Sequence, residues 1–398
     1  MTRSDVTRSS LFGRNRVATI GPFLFTLLIL SACAMTGGPS HLLTDVVDVK
    51  AGERHTCVLT SAGGVKCWGF NHDGQLGDGK QSDRSIPVNV VGLASGAKTI
   101  TAGWRHSCAI TSLGGIQCWG NNHDGQVGDG SETDRKTPQD VVGLMTRVTA
   151  VAAGERHTCA LTTTGGVKCW GNNHDGELGD GTKKDRITPV DVVGLTTGVT
   201  AITTGWRHAC ALTTAGGVKC WGNNHDGQLG DGTEEGGLTP VDVSGLTSGV
   251  TAIAARGRYT CALTSVGGVK CWGNNHDGQL GDGTRTDRNA PVDVTGLTSG
   301  VKAIATGWRH SCALMTAGGM TCWGNNHDGE LGDGTGVDKK TPVDVMVVSS
   351  GIIAIAAGGQ HTCALVKGTV VCWGENEDGQ LGDGTYKSTL ANKAEPGG

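Results

Sequence analysis

Fourteen cysteines of this chain fall into seven pairs at a fixed spacing. Paired thiols of that kind oxidise to disulfides, ligate a metal as thiolates, or stay reduced and buried. Cys57, Cys108, Cys159, Cys210, Cys261, Cys312 and Cys363 stand 51 residues apart; Cys67, Cys118, Cys169, Cys220, Cys271 and Cys322 follow them by ten residues, and Cys372 follows Cys363 by nine. On a hairpin centred at Ala62, Cys57 and Cys67 are directly opposed. The shorter pair centres between Lys367 and Gly368, so its deletion falls in the turn and the opposition survives. Opposed residues on antiparallel strands lie roughly 4.5–5.5 Å apart at Cα, within reach of a disulfide. The metal reading starts from His55, which shares a strand face with Cys57 by the period of two and has Cys67 opposite, a zinc-like trio. The fifth copy argues against it, because Tyr259 replaces the histidine while Cys261 and Cys271 both remain. Seven disulfides are the expectation, with no metal and no cofactor, and the histidines are expected to pack between units and bond a neighbouring loop.

Two other patterns could carry chemistry. The loop Asn122-His123-Asp124-Gly125-Gln126-Val127-Gly128-Asp129-Gly130 recurs with both aspartates in all seven copies. Its order matches neither the EF-hand nor the Gly-Gly-x-Gly-x-Asp calcium repeat, so turn chemistry, with Asp and Asn bonding their own backbone, is the expected role. The second pattern is the pair of residues between a glycine and the histidine: Glu53-Arg54, Trp104-Arg105, Glu155-Arg156, Trp206-Arg207, Gly257-Arg258, Trp308-Arg309 and Gly359-Gln360. Six arginines and three tryptophans at equivalent positions are the residue types that dominate interface hot spots, and arginine stacks on tryptophan. The rival account pairs the arginines with the frequent aspartates and buries the tryptophans between units. No Gly-x-Ser-x-Gly and no phosphate-binding loop occurs, and residues repeated in every copy lack the asymmetry that catalysis needs, so the chain is read as a non-enzyme.

The elements that must hold these residues follow from the repeat. Seven copies of 51 residues account for 42–398 of the 398 residues. In one copy, Pro189-Val-Asp-Val-Val, Val199-Thr-Ala-Ile-Thr, His208-Ala-Cys-Ala-Leu-Thr and Gly217-Val-Lys-Cys-Trp are short β-branched runs between Gly, Asn and Asp turns. Four strands in a unit of this length make a propeller blade, and the spacing predicts an all-β, seven-bladed propeller with four antiparallel strands per blade. With the Pro189 run taken as the first strand of its unit, the chain enters after that strand, and the tail Leu390–Glu395 is expected to pair into the first blade and close the ring.

Composition agrees. There are 68 Gly, 15 Cys and 10 Trp against 4 Phe and 2 Tyr. With 9 Pro and no Gly-X-Y period, the glycine excess is neither collagen nor disorder but turn chemistry. The formal charge of −4 disfavours nucleic acid, whose binding needs clustered cations, and no nucleic-acid partner is expected.

The repeated Gly-x-x-His-x-Cys-Ala-Leu-Thr and Gly-Gly-Val-Lys-Cys-Trp-Gly-x-Asn-x-x-Gly-Gln-Leu-Gly-Asp-Gly-Thr resemble the regulator of chromosome condensation repeat, which implies a seven-bladed propeller and, since one fold hosts many activities, little about function. The paired cysteines depart from that pattern. Gly-Trp-Arg-His is also similar to a motif of the plant ultraviolet-B photoreceptors of that family, where it lines a homodimer face in adjacent blades. Here Trp104, Trp206 and Trp308 stand in alternate blades, a spacing expected to keep them too far apart for strong coupling. The family's nucleotide-exchange activity depends on an inserted wedge, and the unbroken period leaves no room for one.

The first 32 residues differ from the rest. Arg3, Arg8, Arg14 and Arg16 precede the apolar run Val17–Leu30, as in a signal peptide. Leu30-Ser31-Ala32-Cys33 resembles a bacterial lipobox, which implies lipidation of Cys33, a short tether over 33–41, and, with Ala34 next, a place in the cell envelope at the outer membrane or surface of a Gram-negative cell. Removing residues 1–32 leaves 29 Lys plus Arg against 36 Asp plus Glu, a net charge of −7. The expected function is that of a lipid-anchored, extracytoplasmic scaffold. It would bind a protein or an anionic surface polymer through Arg54, Trp104, Arg105, Arg156, Trp206, Arg207, Arg258, Trp308 and Arg309. The alternative is a purely structural envelope or surface module.

Overall fold

The structure, a computed structural model, describes residue 43 and residues 45–389. The signal, the lipobox cysteine, the tether and the tail Leu390–Glu395 lie outside the described residues. In blade one, β1 (Val46–Ala51), β2 (His55–Thr60), β3 (Val65–Gly69) and β4 (Arg84–Asn89) form one antiparallel sheet in chain order. The same order recurs to give six four-stranded sheets and a seventh with three strands, Ile352–Ala357, His361–Val366 and Thr369–Gly374.

The phase of the blade differs from the sequence expectation. The run containing Pro189 (Arg186–Asp191) pairs with Val167–Gly171 of the preceding hairpin, through Lys168↔Asp191 and Gly171↔Arg186, so it is the last strand of its blade and not the first of the next. A proline donates no ladder hydrogen bond and is confined to sheet edges, which is where Pro189 and its equivalents stand. Blade one therefore has its four strands from 46–89 alone. At the other end, Thr389 exchanges backbone bonds with Gly374 (N–H to O 2.9 Å), the place that Lys339 takes opposite Gly324 one blade earlier. The last described residue thus belongs to blade seven.

Each blade ties to its predecessor by the same side chains. The indole of Trp119 donates to the Gln75 carbonyl (2.8 Å), and the Ser107 hydroxyl donates to that same oxygen (3.0 Å). At the ring closure, Trp68 (2.9 Å) and Thr56 (2.8 Å) converge likewise on the carbonyl of Gln380 in blade seven. All seven frame tryptophans are buried, each against a neighbouring blade's core. Gly77, at φ 70°, lies where a Cβ would stand 2.8 Å from the Trp119 indole nitrogen, so this contact requires glycine.

Candidate functional site: the axial mouth

The cysteines come first, because they hold the hairpins that carry the site. Cys57 is directly opposite Cys67 in register, and the same opposition holds through Cys363 and Cys372. All seven pairs are disulfide-bonded at a Cα separation of 4.1 Å, a little under the expected interval. The histidines reach across to the next blade. Nε2 of His55 meets Ser107 Oγ of the next blade at 2.9 Å, and His106, His208, His310 and His361 meet Thr158, Thr260, Thr362 and Thr56 at 2.8–2.9 Å. His157 is the exception, because Ala209 offers no hydroxyl and its Nε2 has no partner. Burial pushes His55, His106, His208 and His310 down to about 3, His157 to about 4 and His361 well below the ordinary imidazole value, so they are neutral donors or acceptors and not charges. In the recurring loops, Asn122 donates to Asp129 and to the carbonyls of Ser131 and Thr133, and accepts from the Val127 amide, which accounts for that Asp-Gly chemistry within the fold.

The turn after the first strand of each blade builds the mouth of the central axis. A belt of backbone bonds runs around it: Glu53 N–H to Gly103 O, Trp104 to Gly154, Trp206 to Gly257, Gly257 to Gly307, Trp308 to Gly358 and Gly359 to Gly52, at 2.9–3.3 Å. Glycine is needed inside the belt, since a Cβ on Gly103 would stand 2.7 Å from the Gly154 carbonyl and 2.9 Å from the His106 ring. Trp104, Trp206 and Trp308 are half-buried and line one pocket with Glu53, Glu155 and Arg256. All three turns reach the same axis, so tryptophans of alternate blades share one pocket.

The six arginines ring this mouth, 36–53% exposed at their side chains. Each also crosses to the preceding blade: Arg105 to Asp73 (3.5 Å), Arg156 to Asp124 (3.4 Å), Arg207 to Asp175 (3.3 Å), Arg258 to Asp226 (3.5 Å), Arg309 to Asp277 (3.5 Å), and Arg54 to Asp378. Gln360 keeps the link without the charge, donating to Asp328 at 2.8 Å. The same guanidinium groups lie over the indoles, Arg258 at 4.0 Å and Arg207 at 5.2 Å from the centroid of Trp206, and Arg309 at 5.1 Å from that of Trp308. The arginines therefore tie blades through the aspartates, as one of the two readings expects, and stay exposed around the mouth.

Three further residues complete the mouth. Glu155 pairs with Arg207 at 3.5 Å and Arg156 at 3.6 Å. Burial pushes its carboxyl up, opposed by a Trp206 hydrogen bond and the two arginines. Glu53 is pushed up to about 8 by burial, against the pull of Arg256, Arg105 and Arg54, and its Oε2 has no partner. Arg256 reaches across the axis from blade five to blade two, donating to the carbonyls of Ala102 (3.4 Å) and Gly103 (3.3 Å). It lies one residue outside the positions that blade-to-blade comparison isolates. Its signal is plain all the same, since it alone replaces a glycine that the other six blades keep.

A model described as the RCC1-like domain matches residues 133–396, and models of the regulator of chromosome condensation (RCC1) repeat match 46–75, 97–126 and 62–110. The chain is 34% identical over 324 residues to the ultraviolet-B receptor UVR8 of Arabidopsis thaliana, covering 79% of this chain and 72% of that protein. It is 31% identical over 327 residues to the RCC1 domain-containing mitochondrial protein RUG3 of the same plant, covering 77% and 74%. Among solved structures, human WBSCR16 superposes with a TM-score of 0.73 at 25% identity, over 81% of this chain and 88% of that one. With family models spanning most of the seven blades and relatives matched over most of their own length, the chain belongs to the regulator of chromosome condensation (RCC1) repeat family.

Proposed function

We propose that the chain is an extracytoplasmic, lipid-anchored propeller that presents the axial mouth to a protein partner. The observation that carries this reading is the mouth itself: three half-buried tryptophans around one pocket, ringed by exposed arginines stacked on them. Aromatic anchors set in a rim of polar groups are the anatomy of a protein interface. Because every arginine of the ring already has an aspartate, little free positive potential is left, which favours a protein over an anionic polymer. Seven disulfides support an oxidising compartment. The first strand of the propeller starts at the end opposite the mouth, where the Val46 amide bonds the Gly368 carbonyl in a hairpin turn. The rival reading, a rigid surface module, draws on the arginine–aspartate ties between blades. Affinity capture from envelope extract separates the two. Proteins retained by the wild type and lost with Trp104→Ala, Trp206→Ala and Trp308→Ala combined favour the interface, and identical recovery on both baits removes it.

A further inference from the structure

Below Arg256 the axis opens into a chamber of about 290 Å3, lined by the inner strands. Alanine is the commonest residue of its walls, with Ala254, Ala305 and Ala356 among them, beside Thr101 and Thr203 and two cations, Lys50 and Arg256; no carboxylate lines it. The two cations are not equivalent. Lys50 bonds Asp48 at 3.0 Å, whereas Arg256 has no ion pair within 4.0 Å among the described residues and only two long bonds to carbonyls. A guanidinium carries five donors, so Arg256 has capacity left over at the head of a pocket otherwise without charge. Its strand is held in place from the side, where the Thr203 hydroxyl accepts from the Ala255 amide at 2.9 Å. Glu53, the acid on the mouth side, makes no ion pair with it within 4.0 Å, and burial pushes that carboxyl up.

We propose that this chamber binds one short-chain monocarboxylate, its carboxylate on the fork of Arg256 and its alkyl tail against the alanines. The planar fork matches a carboxylate in two parallel hydrogen bonds. One unpaired cation calls for one negative charge, and a dianion would need a second cation that Asp48 already occupies. The site shares Arg256 with the mouth, but its cavity lies on the other side of that residue.

The test is titration calorimetry of the oxidised propeller with sodium propionate, and with sodium sulfate at matched ionic strength. Propionate is expected to saturate one site per chain, with sulfate weaker by about 10-fold or more, since sulfate has no alkyl tail to bury against the alanines and its second charge finds no cation. Arg256→Gly restores the residue of the other six blades and so preserves the fold; it is expected to weaken propionate at least ~10-fold. Ala305→Leu, which fills the chamber with Arg256 intact, is expected to weaken it as well, while the exposed Lys98→Gln, away from chamber and mouth, leaves it unchanged. Absence of saturable propionate binding, sulfate binding as tightly as propionate, or full affinity in Arg256→Gly overturns the proposal.

Discussion

Blades five and six carry the same strands and the same disulfide, and differ at three neighbouring positions of one turn: Arg256, Gly257 and Tyr259 against Gly307, Trp308 and His310. In blade six the glycine is obligatory, because a Cβ on Gly307 would meet the His310 ring at 2.5 Å. In blade five the ring is a phenol whose hydroxyl donates to the His310 carbonyl and accepts from Ser311 Oγ at 2.9 Å, so the seam keeps its bond in a different form. The obligatory glycine shifts one residue along, to Gly257, where a Cβ would run into the Trp308 carbonyl. Three coordinated changes deliver one guanidinium to the axis. The seams between blades keep their side-chain bonds nearly throughout, with Ala209 opposite His157 the exception, whereas the turn at the axis is where blades diverge.

The largest effect is expected when that coordination is broken. Gly307→Arg alone drives side-chain atoms into His310 and should cost about 3 kcal/mol or more, by overpacking. Adding Trp308→Gly and His310→Tyr rebuilds the blade-five turn and should recover over half of the loss in a denaturant titration. A single variant as stable as the wild type would show that the two blades differ freely.

A smaller effect separates Glu177 and Glu330 from the five blades with glutamine at that position. Burial pushes Glu177 up to about 7 from the ordinary 4.5, so the folded state binds more protons than the unfolded chain between those values. Its contribution is complete below pH 4.5 and is lost as pH rises through 7. Glu177→Gln should therefore stabilise by on the order of 1–3 kcal/mol at pH 8 and change little at pH 4. The buried histidines act in the opposite sense. The folded values of His55, His106, His208 and His310, near 3, lie below the unfolded 6.5, so stability falls as pH drops below 6.5. Melting temperatures of wild type and Glu177→Gln from pH 8 to pH 4 should converge as they decline, and a constant gap would contradict this assignment.

The smallest effects sit at the seam hydroxyls. Ser107→Ala removes the partner of His55 and should cost about 1 kcal/mol, while Ala209→Ser supplies one to His157 and should gain about as much. Equal signs for the two changes, by thermal melts at pH 7.5, would break the comparison.

The repeat and the cysteine register were legible because both are written in spacing: a 51-residue period and opposed pairs need no knowledge of neighbours. The membership of strands in blades was not, because a circular repeat has no intrinsic start. Proline at Pro189 and its equivalents was the one local sign of an edge strand. The arginine and tryptophan positions were legible as a set, but not their convergence on one pocket, which depends on how near the axis each turn runs. Arg256 escaped because its contacts, Ala102 and Gly103, lie three blades away, beyond any spacing rule.

Oxidative footprinting of tryptophan tests the binding face most directly, because the chain carries its own control. The seven frame tryptophans are buried and should stay unreactive in every setting, whereas Trp104, Trp206 and Trp308 should oxidise in the purified propeller. In intact envelopes, with a partner seated on the mouth, the account predicts that these three become protected. Equal reactivity of the three in purified and native settings would contradict it.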